Sequence, residues 1–399
     1  MTLFSGLRIL DASSLLAAPL AASMLGDFGA EVIKIEDPKR SDPLRSYPPQ
    51  REGVSLIHKV TNRNKQQIAI DLRCAEGQDL FRKLAAQSDV VICNFRVGTL
   101  RKWGLDYEQL AVANQRLIML HLTAYGRTGP YADLPGFARV AEAFCGLMGI
   151  TGFPDGPPIP AGYPVVDGLT GIVGALGISM ALYDRERTGL GQLVDLSLYE
   201  GMLRILEDTL IGYDQLGEGR SRVGTANPYV APNDIYRCGD GGWIALPIST
   251  DSVFERFMQA IGSPELARDP RFTTNIVRVR HRAELDHSIN GWLARQSVKS
   301  AVAILQDHEV PCGAVYGARE ILADPHICQR GSVIGVFDEE LGSELRMQAP
   351  VPMMSRTPGA VRFPGRPKGS DTIAVLRRLA GLSPEQCEDL VRAGVIASS

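Results

Sequence analysis

Residues 6–38 read GLRILDASSLLAAPLAASMLGDFGAEVIKIEDP. A short apolar run, Leu7 to Leu10, is followed by a stretch of small helix-forming residues that stops near Gly29, and AEVIKIE then alternates apolar with polar positions. That order predicts strand, helix, strand, and therefore a βαβ unit with parallel strands and a right-handed crossover. The pattern recurs downstream. A helix over EGQDLFRKLAAQ (76–87) runs into the strand DVVICNF (89–95), and a helix over DYEQLAVANQ (106–115) runs into LIMLHLT (117–123). Alternation of this kind predicts an α/β fold with a Rossmann-like, doubly wound parallel sheet.

The chain has 399 residues, enough for more than one core. The large Rossmann-like domain is drawn over 1–204, and a linker over 205–228. The linker lies where the long helical pattern LVDLSLYEGMLRILEDTLIGYDQL (193–216) gives way to the polar GEGRSRVGTANPYVAPND (217–234). A smaller α+β domain over 229–330 is expected from a strand at GGWIALPI (241–248), helices at 251–262, 281–296 and 297–309, and a strand near GAVYG (313–317). A return linker, proline-rich from Pro350 to Lys368, occupies 331–370, and helices over 371–399 pack back on the large domain. The last helix is marked by Ser383 as cap, Pro384 at its first position, Gln386 completing a capping box and Gly394 as stop.

The formal charge of -3 gives no global attraction to nucleic acid or an anionic membrane. It is unevenly spread: residues 34–73 hold nine Lys/Arg against five Asp/Glu, a local +4 that suits either a solvated loop or a small anionic ligand. The seven cysteines are scattered and form no CxxC, which points to reduced thiols in a cytoplasmic protein without a disulfide framework or zinc site. The N-terminal MTLFSGLRIL lacks a signal-peptide core, and the uncharged run Gly168–Tyr183 is only 16 residues, so no membrane span is expected.

The first turn, SSLLAAPLAAS (13–23), has no GxGxxG, which argues against a dinucleotide in the usual place. No HxxxH or HxH pair suggests a metal, and no GxSxG suggests a serine nucleophile. A carboxylate is the remaining candidate. Asp167 lies in GYPVVDGLTGIVGALGISMALYDRE (162–186), between an apolar strand-like run and a glycine-rich helix. There it either caps the helix or, held as the anion by the helix terminus, serves as a nucleophile. Gly168, Gly171, Gly174 and Gly177 permit close backbone approach or close helix packing.

Six stretches then carry a resemblance: LAAPLAASMLGDFGAEVIKIEDP (16–38), NRNKQQIAIDL (62–72), DVVICNFRVGTLRKWGLDYEQL (89–110), TGFPDGPP (151–158), the Asp167 segment with DRERTGLGQLVDLSLYE (184–200), and VPCGAVYGAREILADP (310–325). In this order they resemble the class III CoA-transferases, the family of formyl-CoA transferase and carnitine CoA-transferase. The resemblance implies transfer of CoA from an acyl-CoA to a small carboxylic acid, possibly a dicarboxylic one, through a covalent intermediate on Asp167. It implies CoA contacts at Leu16, Ala17, Ile70, Arg73, Asn94, Phe95, Arg96 and Lys102. No tightly bound cofactor is implied, the CoA thioester being substrate, and an interlocked homodimer is.

The chain also departs from that relative: Asp37 stands where it has an arginine and Pro135 where it has a lysine, with Lys39, Arg40 or Arg139 as substitutes. VGTANPYVAPNDIY (223–236) lacks its glycine-rich lid, while Asn227–Pro232 is similar to acetyl-CoA:oxalate CoA-transferases. The α-methylacyl-CoA racemases are related, but Phe137 stands at their histidine position and cannot move a proton. A non-catalytic CoA-binding protein is the other alternative, and it would leave Asp167 as a cap only.

Overall fold

In a computed structural model describing residues 2–398, strand β1 (Arg8–Ala12) turns through residues 13–16 into helix α1 (Ala17–Asp27) and then into β2 (Glu31–Glu36). The two strands pair in parallel, Ile9 opposite Val32. Four more parallel strands follow: β3 (Lys65–Ile70), β4 (Val90–Cys93), β5 (Ile118–Thr123) and β6 (Leu193–Ser197), with α2 (Ala75–Ala85) between β3 and β4. The strand Ile396–Ala397 closes the β3 edge in antiparallel sense, giving a seven-stranded sheet with β2 and β3 on one side of β1 and β4, β5 and β6 on the other. Strand order reverses between β1 and β4, and the crevice beyond the carboxyl ends of these two strands is where such sheets bind ligands.

Neighbouring residues along the strands feed opposite faces. Leu10, Ile33, Ile68 and Val91 pack with Phe81, Leu84 and Leu376, whereas Ile9, Val32 and Val90 pack with Ala18, Ala21 and Ile178. Both faces are therefore covered, as parallel sheets require.

Helix α5 (Val165–Thr188) lies against α1 and the sheet. By length and composition alone it could cross a membrane; here it is a layer helix with much of its length buried. Its glycines serve helix packing more than ligand approach. A Cβ at Gly171 would stand 2.6 Å from the Ala17 carbonyl oxygen, and one at Gly174 2.9 Å from Leu120, but one at Gly168 would meet nothing within 4 Å.

The chain divides into two compact units, one comprising Met1–Leu147, Pro160–Gly217 and Gln329–Ser399, the other Met148–Ile159 and Glu218–Cys328. These limits differ from the boundaries drawn on the sequence. The stretch 193–216 is not one long helix: it begins as β6, paired with β5, and turns helical only at Leu198, where Ser197 and Glu200 form a capping box. Tertiary pairing overrides its helical pattern. Residues 207–216, expected in the linker, form a further helix of the first unit.

The return segment is likewise more than a linker. It contains the hairpin Val333–Asp338 with Ser343–Gln348, and is then bonded along the first unit by Arg362 N–H to Asn64 Oδ1 (2.7 Å) and Gly365 N–H to the Lys59 carbonyl (2.8 Å). The C-terminal helices Thr372–Ala380 and Pro384–Arg392 follow, and the predicted Ser383–Gln386 capping box is formed. In the second unit, strands Asn233–Arg237, Trp243–Pro247 and Gly313–Ala314 form an antiparallel sheet whose core includes Phe254, Phe257, Ile289 and Leu293.

The glycine geometry gives an expected outcome by urea unfolding. Gly171→Ala forces a methyl group against backbone and lowers stability by about 1–3 kcal/mol. Gly168→Ala, in open space on the same helix, is neutral or stabilising by up to about 1 kcal/mol.

Candidate active site

Four buried charges shape the turn after β1. Lys65 Nζ donates to Asp11 Oδ2 (2.8 Å), the Pro19 carbonyl (2.7 Å) and Asn62 Oδ1 (3.1 Å). Lys34 Nζ donates to Asp42 Oδ2 (3.0 Å) and to the Ser13 carbonyl. Asp11 in turn accepts from the Ser13 N–H and hydroxyl, and Asp42 from the N–H groups of Leu15 (3.1 Å) and Leu44 (3.0 Å). Burial alone would raise the Asp11 carboxyl, but Lys65 and Lys34 hold it below its ordinary value.

The result is a turn in which Leu15 takes φ +66°, a left-handed conformation that normally calls for glycine. Asn94, just beyond β4, ties the turn from the other side through Ser14 N–H (3.0 Å) and the Ser14 carbonyl (2.8 Å).

Three cavities adjoin this turn. The first, about 410 Å³, is lined by Leu16, Ala17, Asn94, Tyr47, Tyr163, Arg139 and Asp167 among others. The second, about 270 Å³, includes Ile70, Arg73, Phe95, Trp103 and Arg40. The third includes Arg73, Arg96, Lys102 and Trp103. Ser14 lines both the first and the second, and Arg73 and Trp103 line both the second and the third, so the cavities adjoin one another and between them are lined by all nine residues singled out in the sequence.

Asp167 is the third residue of α5, and not its cap: Pro164 holds that position, and Val165 and Val166 are already helical, so the strand-like run is absent. The carboxylate makes no hydrogen bond or ion pair among the described residues, and burial pushes it up to about 6. Desolvation thus outweighs the favourable helix end expected from the sequence. The carboxylate is still mostly ionised at neutral pH, and its oxygens have no protein partner among the described residues.

The local +4 has a structural origin. Lys65 pairs with Asp11, Arg63 with Asp27, and Lys59 with Asp338 and Glu340; those four acids lie outside residues 34–73 and account for the excess. Asp37 holds Arg73 in an ion pair and accepts from the N–H groups of Lys39 (2.8 Å) and Arg40 (3.0 Å), which gives that position a structural role. Of the proposed substitutes, Arg40 lines the second cavity, Arg139 lines the first, and Lys39 pairs with Asp71 at 3.5 Å. Arg96 and Lys102 form no ion pair among the described residues, and both are exposed.

Sequence reasoning missed Ser14, Tyr47, Tyr163 and Trp103. Trp103 stacks edge-on against Phe95 at 5.2 Å, and its place directly after Lys102 was the available signal. No histidine lines the Asp167 cavity; Phe137 does.

The sequence profile of CoA-transferase family III matches residues 4–372. The chain is 43% identical over 379 residues to a succinyl-CoA–D-citramalate CoA-transferase of Chloroflexus aurantiacus, spanning 95% of this chain and 94% of that one. It is 36% identical over 389 residues to the beta subunit of a succinyl-CoA–L-malate CoA-transferase of the same organism, spanning 97% and 96%. Among solved structures, a CaiB/BaiF family protein from Brucella suis superposes with a TM-score of 0.84 at 32% identity, spanning 95% of this chain and 99% of that one.

Two stability measurements check the site's electrostatics. The Asp167 carboxyl has a higher pKa folded than its ordinary 3.8, so the folded state binds more protons and stability falls as pH rises from about 4 to about 6. Asp167→Asn therefore raises unfolding free energy by about 1–2 kcal/mol at pH 7.5, after allowance for partial exposure, and the gain vanishes toward pH 4. Asp42→Asn leaves the Lys34 ammonium buried without its partner and costs about 3–5 kcal/mol, part of which Lys34→Met restores in the double variant.

Proposed function

The chain belongs to CoA-transferase family III and is a CoA-transferase acting on acyl-CoA and carboxylic acids; from that premise we propose that Asp167 carries the CoA as a covalent aspartyl thioester and that the acceptor is a small dicarboxylic acid. The observation that carries the reading is Asp167 itself: an unpaired carboxylate, raised to about 6 by burial, at one end of a path whose other end holds Arg73, Arg96 and Lys102.

The nucleotide end of CoA lies with its phosphates at Arg73, Arg96 and Lys102 and its ring near Phe95 and Trp103. The pantetheine arm follows Ile70, Ser14, Asn94, Leu16 and Ala17 to the first cavity, where the thioester meets Asp167. Asp167 Oδ attacks the thioester carbonyl carbon, which breaks the carbon–sulfur bond and gives a mixed anhydride and CoA thiolate. The thiolate attacks the aspartyl carbonyl and expels the donor's carboxylate, leaving aspartyl–CoA. The acceptor carboxylate then repeats both steps in reverse order and leaves as its CoA thioester, with Asp167 restored as the free carboxylate. One exchange between weak partners becomes successive acyl transfers, which is the benefit of a covalent intermediate. No proton must be taken from carbon, in keeping with Phe137 where a racemase needs a base.

The names of the two Chloroflexus relatives, succinyl-CoA with citramalate and with malate, support dicarboxylic substrates. We place the enzyme in the cytoplasm, a reading supported by seven free cysteines. An interlocked homodimer is supported by apolar side chains left uncovered on α5 (Ile172, Leu176, Met180, Tyr183) and on the helix Glu207–Leu216 (Leu210, Ile211, Leu216), which a second copy would bury.

Incubation with succinyl-CoA followed by hydroxylamine is expected to convert Asp167 alone to its hydroxamate, read by peptide mass spectrometry. Asp167→Asn is expected to lose turnover by roughly 10⁴-fold or more. Label at another residue, or turnover surviving in Asp167→Asn, contradicts the reading.

A further inference from the structure

One cation in the Asp167 cavity has no part in the reaction so far. Arg139 stands in the first turn of the helix Ala138–Phe144, and it is the sole Lys or Arg among the residues lining that cavity. The sequence offered it as a substitute contact for CoA, but the cavities that hold Arg73, Arg96 and Lys102 do not include it. Its place is with the reacting acyl groups.

The guanidinium is fastened through one nitrogen. Nη1 donates to Glu142 Oε2 at 3.3 Å and, at 3.5 Å, to the Ala161 carbonyl, whereas Nε and Nη2 have no protein acceptor among the described residues. Glu142 is buried, and its other oxygen accepts the Ala161 N–H at 2.6 Å. This carboxylate therefore fixes the arginine to the segment that leads through Tyr163 into Asp167, while the Arg139 side chain stays 58% exposed. A guanidinium presents its N–H groups in a planar fork that matches a carboxylate through two parallel bonds. With Nη1 held, the Nε and Nη2 edge is still available for such a pair.

A dicarboxylic acid brings two negative charges into a cavity that already holds the Asp167 carboxylate. The reacting carboxylate is spent in the covalent steps; the other needs a partner, because a second anion desolvated beside Asp167 is strongly unfavourable. We propose that Arg139 receives the non-reacting carboxylate of the dicarboxylic donor or acceptor, with Glu142 as the residue that positions it. This proposal rests on the CoA-transferase reading above. Arg139 then sets substrate class: it favours acids that carry a second carboxylate and leaves their monocarboxylic counterparts without that bond.

The test compares the four- to six-carbon dicarboxylate that the wild-type protein uses fastest with the monocarboxylate of equal chain length, for example glutarate with pentanoate. Acceptor kcat/KM is measured at saturating donor for the wild type, Arg139→Gln and Arg139→Lys. The wild type is expected to favour the dicarboxylate. In Arg139→Gln the ratio of the two values falls roughly 10- to 100-fold, the range for loss of charged hydrogen bonds, and Arg139→Lys recovers part of it. A ratio does not depend on how much of each variant is folded. A ratio that stays at the wild-type value in Arg139→Gln, or a wild type that uses the monocarboxylate equally well, overturns the assignment and leaves the CoA-transferase reading standing. A wild type that moves CoA to no carboxylate overturns that reading itself.

Discussion

Two lysine ammonium groups, Lys34 and Lys65, sit wholly inside the first unit and neutralise Asp42 and Asp11. Ions so buried are tolerated only when their remaining donors and acceptors are also met, and here the spare bonds go to the backbone of residues 13–19 and to Leu44. The carboxyl end of β1 is thereby held in a shape that needs a left-handed leucine where comparable sheets use glycine. The path from Arg73 to Asp167 runs past that turn. A buried charge network thus shapes the turn that lines the cavities.

Against this background the isolation of Asp167 stands out. Asp11, Glu36 and Asp42 each have a cationic partner, and burial of Asp11 and Glu36 is more than offset, so both are held below their ordinary values. Asp167 has none of this support and is pushed the other way, to about 6. Leaving a carboxylate desolvated and unpaired costs folding free energy, and the proposed nucleophilic role is what those unoccupied oxygens would serve.

Most of the sheet was legible because alternation and helical period are local properties, but strand β3 (Lys65–Ile70), which pairs with β2, was not foreseen, since KQQIAI mixes polar and apolar positions without clear alternation. Asp167 was singled out by elimination and resemblance, but its position in the helix was misread, since two valines after a proline look extended in sequence although both are helical here. The origin of the excess charge at 34–73 was hidden for a different reason: its partners Asp11, Asp27, Asp338 and Glu340 are distant in sequence. The segment 193–197 looked helical because its pairing with β5 is tertiary. Leu15 gave no signal, because a left-handed turn is read from glycine and none is there. Arg139 was noticed, but only the fold separates it from the cations near Arg73.

The most direct test of the account is a crystal structure of the protein after reaction with succinyl-CoA. Continuous density from Asp167 Cγ to the CoA sulfur is expected, with the phosphates beside Arg73, Arg96 and Lys102. An unmodified Asp167 with the CoA sulfur bound elsewhere would contradict it.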